Sequence, residues 1–171
     1  MRPPLEFFVA GLPKAQPRTK ARAFGKFAQV YTPKTADDWK MIVRNEAFKA
    51  WQSESISLFM FPWKGPLRVD LTFYFPRPKA HFRSNGELKP TAPDWHTTKP
   101  DRDNSDKSVL DALTNLGIWH DDKQVCDGRI QKMYCTSPGL PGCRVRIQEA
   151  SEKVWDCPPS KGCLTEKEKQ T

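Results

Sequence analysis

Two stretches of this 171-residue chain gather carboxylates beside lysines: Lys99-Pro100-Asp101-Arg102-Asp103-Asn104-Ser105-Asp106-Lys107, and His120-Asp121-Asp122-Lys123-Gln124. The formal net charge is +8, and in so basic a protein acids this concentrated suggest an oxygen-donor site for a hard cation set into a cationic surface. Mg²⁺ is the expected ion, with Mn²⁺ as the other option. Such an ion activates water and offsets the charge that develops during displacement at phosphorus, with a nearby lysine as a fixed cation. The spacing leaves a plainer account open. Asp103 can serve as a helix N-cap, Asp106 as a favourable charge near a helix start, and Asp121-Asp122 as a turn.

The elements that would position these acids follow from periodicity. A helix is expected after Asp103, with Val109, Leu110, Leu113 and Leu116 on one side and Gly117 at its C-cap. Asp103, Lys107 and Asp111 then share the opposite face. Pro100 biases the preceding residue to extended backbone, and an extended Asp101–Asp103 would send both carboxylates to one side. Asp121 and Asp122 follow in the turn beyond Gly117.

In order, Asp101-x-Asp103-Asn104, Lys107, Asp111-Ala112-Leu113, a glycine turn at Gly117 and Asp121-Asp122-Lys123-Gln124-Val125 resemble the RusA family of Holliday junction resolvases. The resemblance is strong over residues 98–134 and looser around Gly11-Leu12-Pro13. It implies that Asp101, Asp103 and Asp122 bind the metal, that Lys107 assists near the scissile phosphate, and that Asp111 and Asp121 support them. It further implies a homodimeric, metal-dependent crossover junction endodeoxyribonuclease. The implied substrate is a four-way DNA junction in recombination and repair, nicked on opposed strands to leave 5′-phosphate and 3′-hydroxyl ends. Many relatives are encoded by phages or prophages, which makes a bacterial cytoplasm the expected location. Asp106 departs from the pattern as an additional acid, and residues 77–99 and the C-terminal tail look long for the family.

Charge distribution points the same way. Residues 1–34 carry seven cations against Glu6 alone, a net +6 of the total +8. Lys14, Arg18, Lys20 and Arg22, interleaved with Phe24, Phe27 and Tyr31, and with Arg102 beside the acids, suit phosphate contacts to nucleic acid. Arg129, Lys132, Arg144 and Arg146 are candidates to extend that surface. No apolar run approaches the roughly 20 residues of a membrane span, and Met1-Arg2-Pro3-Pro4 lacks a signal-peptide core. No small-molecule cofactor is expected. Five cysteines without a C-x-x-C pair read as free or buried thiols rather than a zinc site. His81, His96 and His120 are read as structural or exposed.

The remainder predicts one α+β domain over 1–150, with a small mixed sheet of four to five strands and two main helices. Leu5–Ala10 and Phe27–Tyr31 are expected to pair as a long hairpin whose loop holds the arginines. A helix capped by Thr35 runs to about Trp51, burying Trp39, Ile42, Val43, Ala47 and Trp51. Residues 53–66 form a connection that tucks aromatics against the core, Leu67–Phe75 a strand, 77–99 an exposed loop and 151–171 a solvated tail. Val125–Tyr134 and Gly142–Gln148 read as a closing hairpin. Two rival functions share these features: a catalytically silent branched-DNA-binding module, and a nuclease acting on flaps or RNA.

Overall fold

The computed structural model describes residues 2–24, 27–53, 62–136 and 139–151. Along the chain it places strands β1 (Leu5–Ala10), β2 (Lys20–Phe24) and β3 (Phe27–Tyr31), helix α1 (Asp37–Ser53), strand β4 (Leu67–Phe75) and helix α2 (Arg102–Leu116). Strands β5 (Val125–Asp127), β6 (Ile130–Tyr134) and β7 (Gly142–Glu149) complete it. The fold is α+β, as the sequence predicts.

Strand β4 is central because it is apolar at every second residue: Leu67, Val69, Leu71, Phe73 and Phe75 are all buried. It pairs antiparallel with β7 on one edge and parallel with β5 and β6 on the other, and β7 in turn pairs antiparallel with β1. Both strand pairings expected from sequence are therefore corrected. β1 joins β7, at Leu5↔Ile147 through Ala10↔Gly142, while β2 and β3 form a separate two-stranded ribbon. β6 and β7 do not pair, because β4 lies between them. Alternation alone gives each strand its two faces but not its neighbour.

Residues 125–134 also split in two at Gly128, where the chain passes against β4. A Cβ on Gly128 would sit 2.0 Å from the Val69 carbonyl oxygen, so only glycine fits.

Both helices cover one face of the sheet and close the core with it. Helix α1 opens with Asp37 and Asp38, favourable charges for its N-terminus, one residue later than a Thr35 cap would set it. Its buried stripe is Trp39, Val43 and Ala47, with Ile42 and Trp51 packed at the margin. Residues 54–61, including Phe59 and Phe61 of the predicted aromatic connection, lie outside the described residues, but Trp63 is buried as expected. The predicted tail is outside them from residue 152 onward. Residues 77–99 are mostly exposed, yet docked against the sheet at Arg77 and His96. The Arg77 guanidinium donates to the carbonyls of Cys135 and Pro93 and to Asp94, and His96 is buried with its ring stacked on Phe75 at 4.0 Å. Cys126 is exposed and Cys135 and Cys143 are buried, all three as free thiols. No described helix is long and apolar enough to cross a membrane.

Candidate active site

Helix α2 begins at Arg102, two residues before the sequence suggests, and Asp101 is its N-cap. Asp103 is thus in the first helical turn rather than in an extended lead-in, and the i, i+2 alternation does not apply to the pair. Asp101 accepts no cap hydrogen bond on its side chain. The Ser105 N–H and hydroxyl are satisfied instead by the Asp101 carbonyl, at 3.1 and 2.9 Å, so capping does not consume this carboxylate. Asp103 and Lys107, one turn apart, both face solvent.

The inner side of α2 explains why it lies where it does. Val109, Ala112 and Leu113 are fully buried, as are Ser105 and Ser108. The Ser108 hydroxyl donates to the Lys14 carbonyl at 2.8 Å, and the Gln16 N–H donates to the Asn104 carbonyl at 2.7 Å. The basic N-terminal segment is thereby moored beside the first turns of α2. Leu110 and Leu116, expected in the buried stripe, are only partly covered. Asp111 is drawn toward α1, where its carboxylate accepts from the Lys40 ammonium at 2.9 Å.

A straight 15-residue helix is about 22 Å long, so acids before and after it need a chain reversal to meet. Gly117 supplies it in the left-handed region, φ 82°. Its N–H donates to Thr114 O at 3.0 Å and the Ile118 N–H to Leu113 O at 3.2 Å, a Schellman closure with Ile118 buried beneath it. Residues 118–121 then run back along the helix. Trp119 bridges Trp63, the Trp63 N–H donates to Ile118 O at 2.8 Å, and both indoles are buried.

At the end of this return the two adjacent acids part company. Asp121 caps the short 3-10 turn Asp122–Gln124 by accepting from the Lys123 N–H at 3.0 Å, and that contact holds its carboxyl below the usual range. Gln124 completes a capping box and anchors it. Its side-chain oxygen accepts from the His120 N–H at 2.9 Å, and its amide donates to the carbonyls of Trp63 and Gly65. Asp122 stays exposed. Asp106 joins the two halves electrostatically: burial, opposed by Arg102 and reinforced by the carboxylates of Asp103 and Asp122, pushes its carboxyl up to about 6.

Lys132, expected on a DNA-facing surface, instead turns inward. Its ammonium donates to the carbonyls of Thr98 and Pro100, directly behind Asp101. Burial pushes its affinity for a proton down while the Asp101 carboxylate pushes back. Arg144 and Arg146 lie on β7 on the sheet face away from the helices, where Arg146 pairs with Glu6 at 3.2 Å. Arg102 is exposed at the helix start, and Arg18, Lys20 and Arg22 are exposed along the segment and ribbon that follow Lys14.

Among the described residues no three carboxylate, imidazole or thiol side chains converge as a closed ligand shell. Asp103, Asp106 and Asp122 share one electrostatic field, in which burial first, and then the other two carboxylates, raise the Asp106 carboxyl, and the side chains that bear it offer only oxygen donors. That chemistry fits a hard divalent cation. Open clefts flank it. One of about 660 Å³ is lined by Lys64, His120, Lys123 and Cys126, and another of about 590 Å³ by Lys14, Lys34 and Pro100.

Comparison with known proteins bears on this arrangement. A family model described as "Endodeoxyribonuclease RusA" matches residues 10–148. "Uncharacterized protein YqaN" of Bacillus subtilis (strain 168) is 32% identical over 155 residues, covering 86% of this chain and 97% of that protein. "Crossover junction endodeoxyribonuclease RusA" of Escherichia coli (strain K12) is 51% identical over 39 residues, 23% of this chain and 32% of that protein. The protein of the same name from Enterobacteria phage 82 matches to the same extent.

Proposed function

This chain belongs to the RusA family of endodeoxyribonucleases, and from that premise we propose that it resolves four-way DNA junctions by divalent-metal-dependent hydrolysis of phosphodiester bonds. The carrying observation is the division between neighbouring acids. Asp121 is committed to capping its turn, while Asp122 is left exposed in the field of Asp106 on the helix that bears Asp103. In this reading Asp101, Asp103 and Asp122 hold Mg²⁺ or Mn²⁺. When bound, such an ion would lower the pKa of water and offset the charge that develops at phosphorus. Lys107, one turn from Asp103, stabilises a non-bridging phosphate oxygen, and Arg102 with Lys14, Arg18, Lys20 and Arg22 binds the flanking DNA. Asp111 acts at a distance by fixing α2 to α1 through Lys40, and Asp121 by shaping the turn that presents Asp122. A homodimer, with one site on each of two opposed strands, completes the proposal.

The test is cleavage of a synthetic four-way junction with and without Mg²⁺. Asp101→Asn, Asp103→Asn and Asp122→Asn should each retain folding and junction binding while losing about 100-fold or more in cleavage rate. Cleavage at the wild-type rate by any of the three removes that residue from the site. Binding without cutting by the wild-type protein at every Mg²⁺ concentration removes the nuclease reading.

A further inference from the structure

The ribbon formed by β2 and β3 stands outside the main sheet, and every described side chain on it is exposed. Its register sorts those side chains. Residues directly opposite one another in an antiparallel pair share a face, and successive residues alternate. Lys20↔Tyr31 and Arg22↔Gln29 therefore lie on one face, with Phe27 following on that side, whereas Ala21↔Val30 and Ala23↔Ala28 form the other. One face is cationic, hydrogen-bonding and aromatic, and the other is nearly all alanine. Among the described residues, Lys20, Arg22, Gln29 and Tyr31 make no side-chain hydrogen bond or ion pair with the rest of the chain. No acid occurs between Glu6 and Asp37, so the surface complements a polyanion.

We propose that this hairpin is a reading ribbon that lies in the major groove of one duplex arm, its Lys20–Arg22–Gln29–Tyr31 face toward the base edges, with Arg22 and Gln29 conferring sequence preference. The inference rests on the DNA-nuclease reading above and goes beyond it by naming the contact and the groove. The major groove is about 12 Å wide and admits a two-stranded ribbon. Arginine pairs in a bidentate manner with guanine O6 and N7, and glutamine with adenine N6 and N7. Opposed across the ladder, with Cβ atoms about 5 Å apart, the two can address the same or adjacent base pairs. The alanine face keeps the ribbon thin. Its root is fixed at the site, because Gln16 is hydrogen-bonded to Asn104 in the first turn of α2. Six residues from Gln16 to Arg22 span at most about 20 Å, so the bases read lie within about six base pairs of the cut.

The experiment uses the full chain on a four-way junction in EDTA, probing guanine N7 with dimethyl sulfate. The wild type should protect guanines on one arm within that distance of the crossover. Arg22→Ala should lose the protection, and the double variant Arg22→Ala/Gln29→Ala should flatten the choice among junctions of different sequence by roughly 5- to 150-fold in relative cleavage. Lys20→Ala should weaken binding to all sequences alike and lower the salt dependence. Melting temperatures within a degree or so of wild type show that these exposed substitutions leave the fold intact. Absence of guanine protection by the wild type, or protection and preference unchanged in the double variant, overturns the ribbon proposal while leaving the nuclease reading standing if the wild type cuts. An unchanged footprint with an altered mass by light scattering also overturns it and assigns the hairpin to a second copy of the chain. A wild type that cuts no junction with Mg²⁺ defeats the nuclease reading itself.

Discussion

Asp106 shows how a single side chain can report on the state of a whole site. Burial and the carboxylates of Asp103 and Asp122 raise its folded value to about 6 from an ordinary 3.8. Between those values the folded chain binds more protons than the unfolded one, so stability falls as pH rises through the window, and the full penalty is present above it. Asp106→Asn removes the ionisation. Allowing for partial solvent screening, it should melt about 2–4 °C above wild type at pH 7.5, with the gain shrinking below pH 6 and gone near pH 4. Thermal melts at several pH values check this, and a gap independent of pH would mean that the charge is not the cause. Mg²⁺ at pH 7.5 should narrow the difference by relieving the same repulsion in the wild type. The residue stands out in the sequence only as an acid beyond the family pattern. Its coupling to Asp122 depends on where the chain returns after the helix, which composition does not reveal.

The elements that create this proximity were unequally legible. Gly117 as a helix terminator and Leu67–Phe75 as a strand follow directly from residue type and alternation, and both stand in the structure. The Asp121-x-x-Gln124 spacing is a capping-box signature, and it could have separated Asp121 from Asp122 at the outset. Lys132 gives no such signal. Nothing in Ile130–Tyr134 distinguishes a lysine that faces DNA from one that reaches back to two carbonyls, since its acceptors at Thr98 and Pro100 come from a docked loop more than thirty residues earlier. The strand thus holds the lead-in to Asp101 through one ammonium. Lys132→Met should loosen that lead-in, raising the Mg²⁺ concentration for half-maximal cleavage by about tenfold and weakening Mn²⁺ binding to the free protein, measured by electron paramagnetic resonance. Junction binding should persist in EDTA. Metal affinity equal to wild type would leave Lys132 with packing alone.

At the scale of the whole molecule, β7 joins what the chain keeps furthest apart. It lies between β1 and β4, pairing Leu5 with Ile147 and Val69 with Ile147 on opposite edges. The last described backbone bond beyond it, from the Ala150 N–H to Pro66 O, closes the sheet at 3.0 Å. A chain ending at Ser151 should therefore fold and cut like the full chain, whereas one ending at Pro141 should not fold; circular dichroism and the junction assay separate the two. Large loss of structure on removing residues 152–171 would show that the sheet needs more than its paired strands. The acids themselves belong to one local stretch, 101–122, yet the sheet beneath them waits for nearly the last residue of the described chain. During synthesis, at about 5–20 residues per second, β1 and β4 leave the ribosome with their facing edges unfilled. The nascent chain carries all the proposed chemistry before it has a platform to hold it, so cutting activity should switch on late and all at once, after β7 has emerged from the exit tunnel.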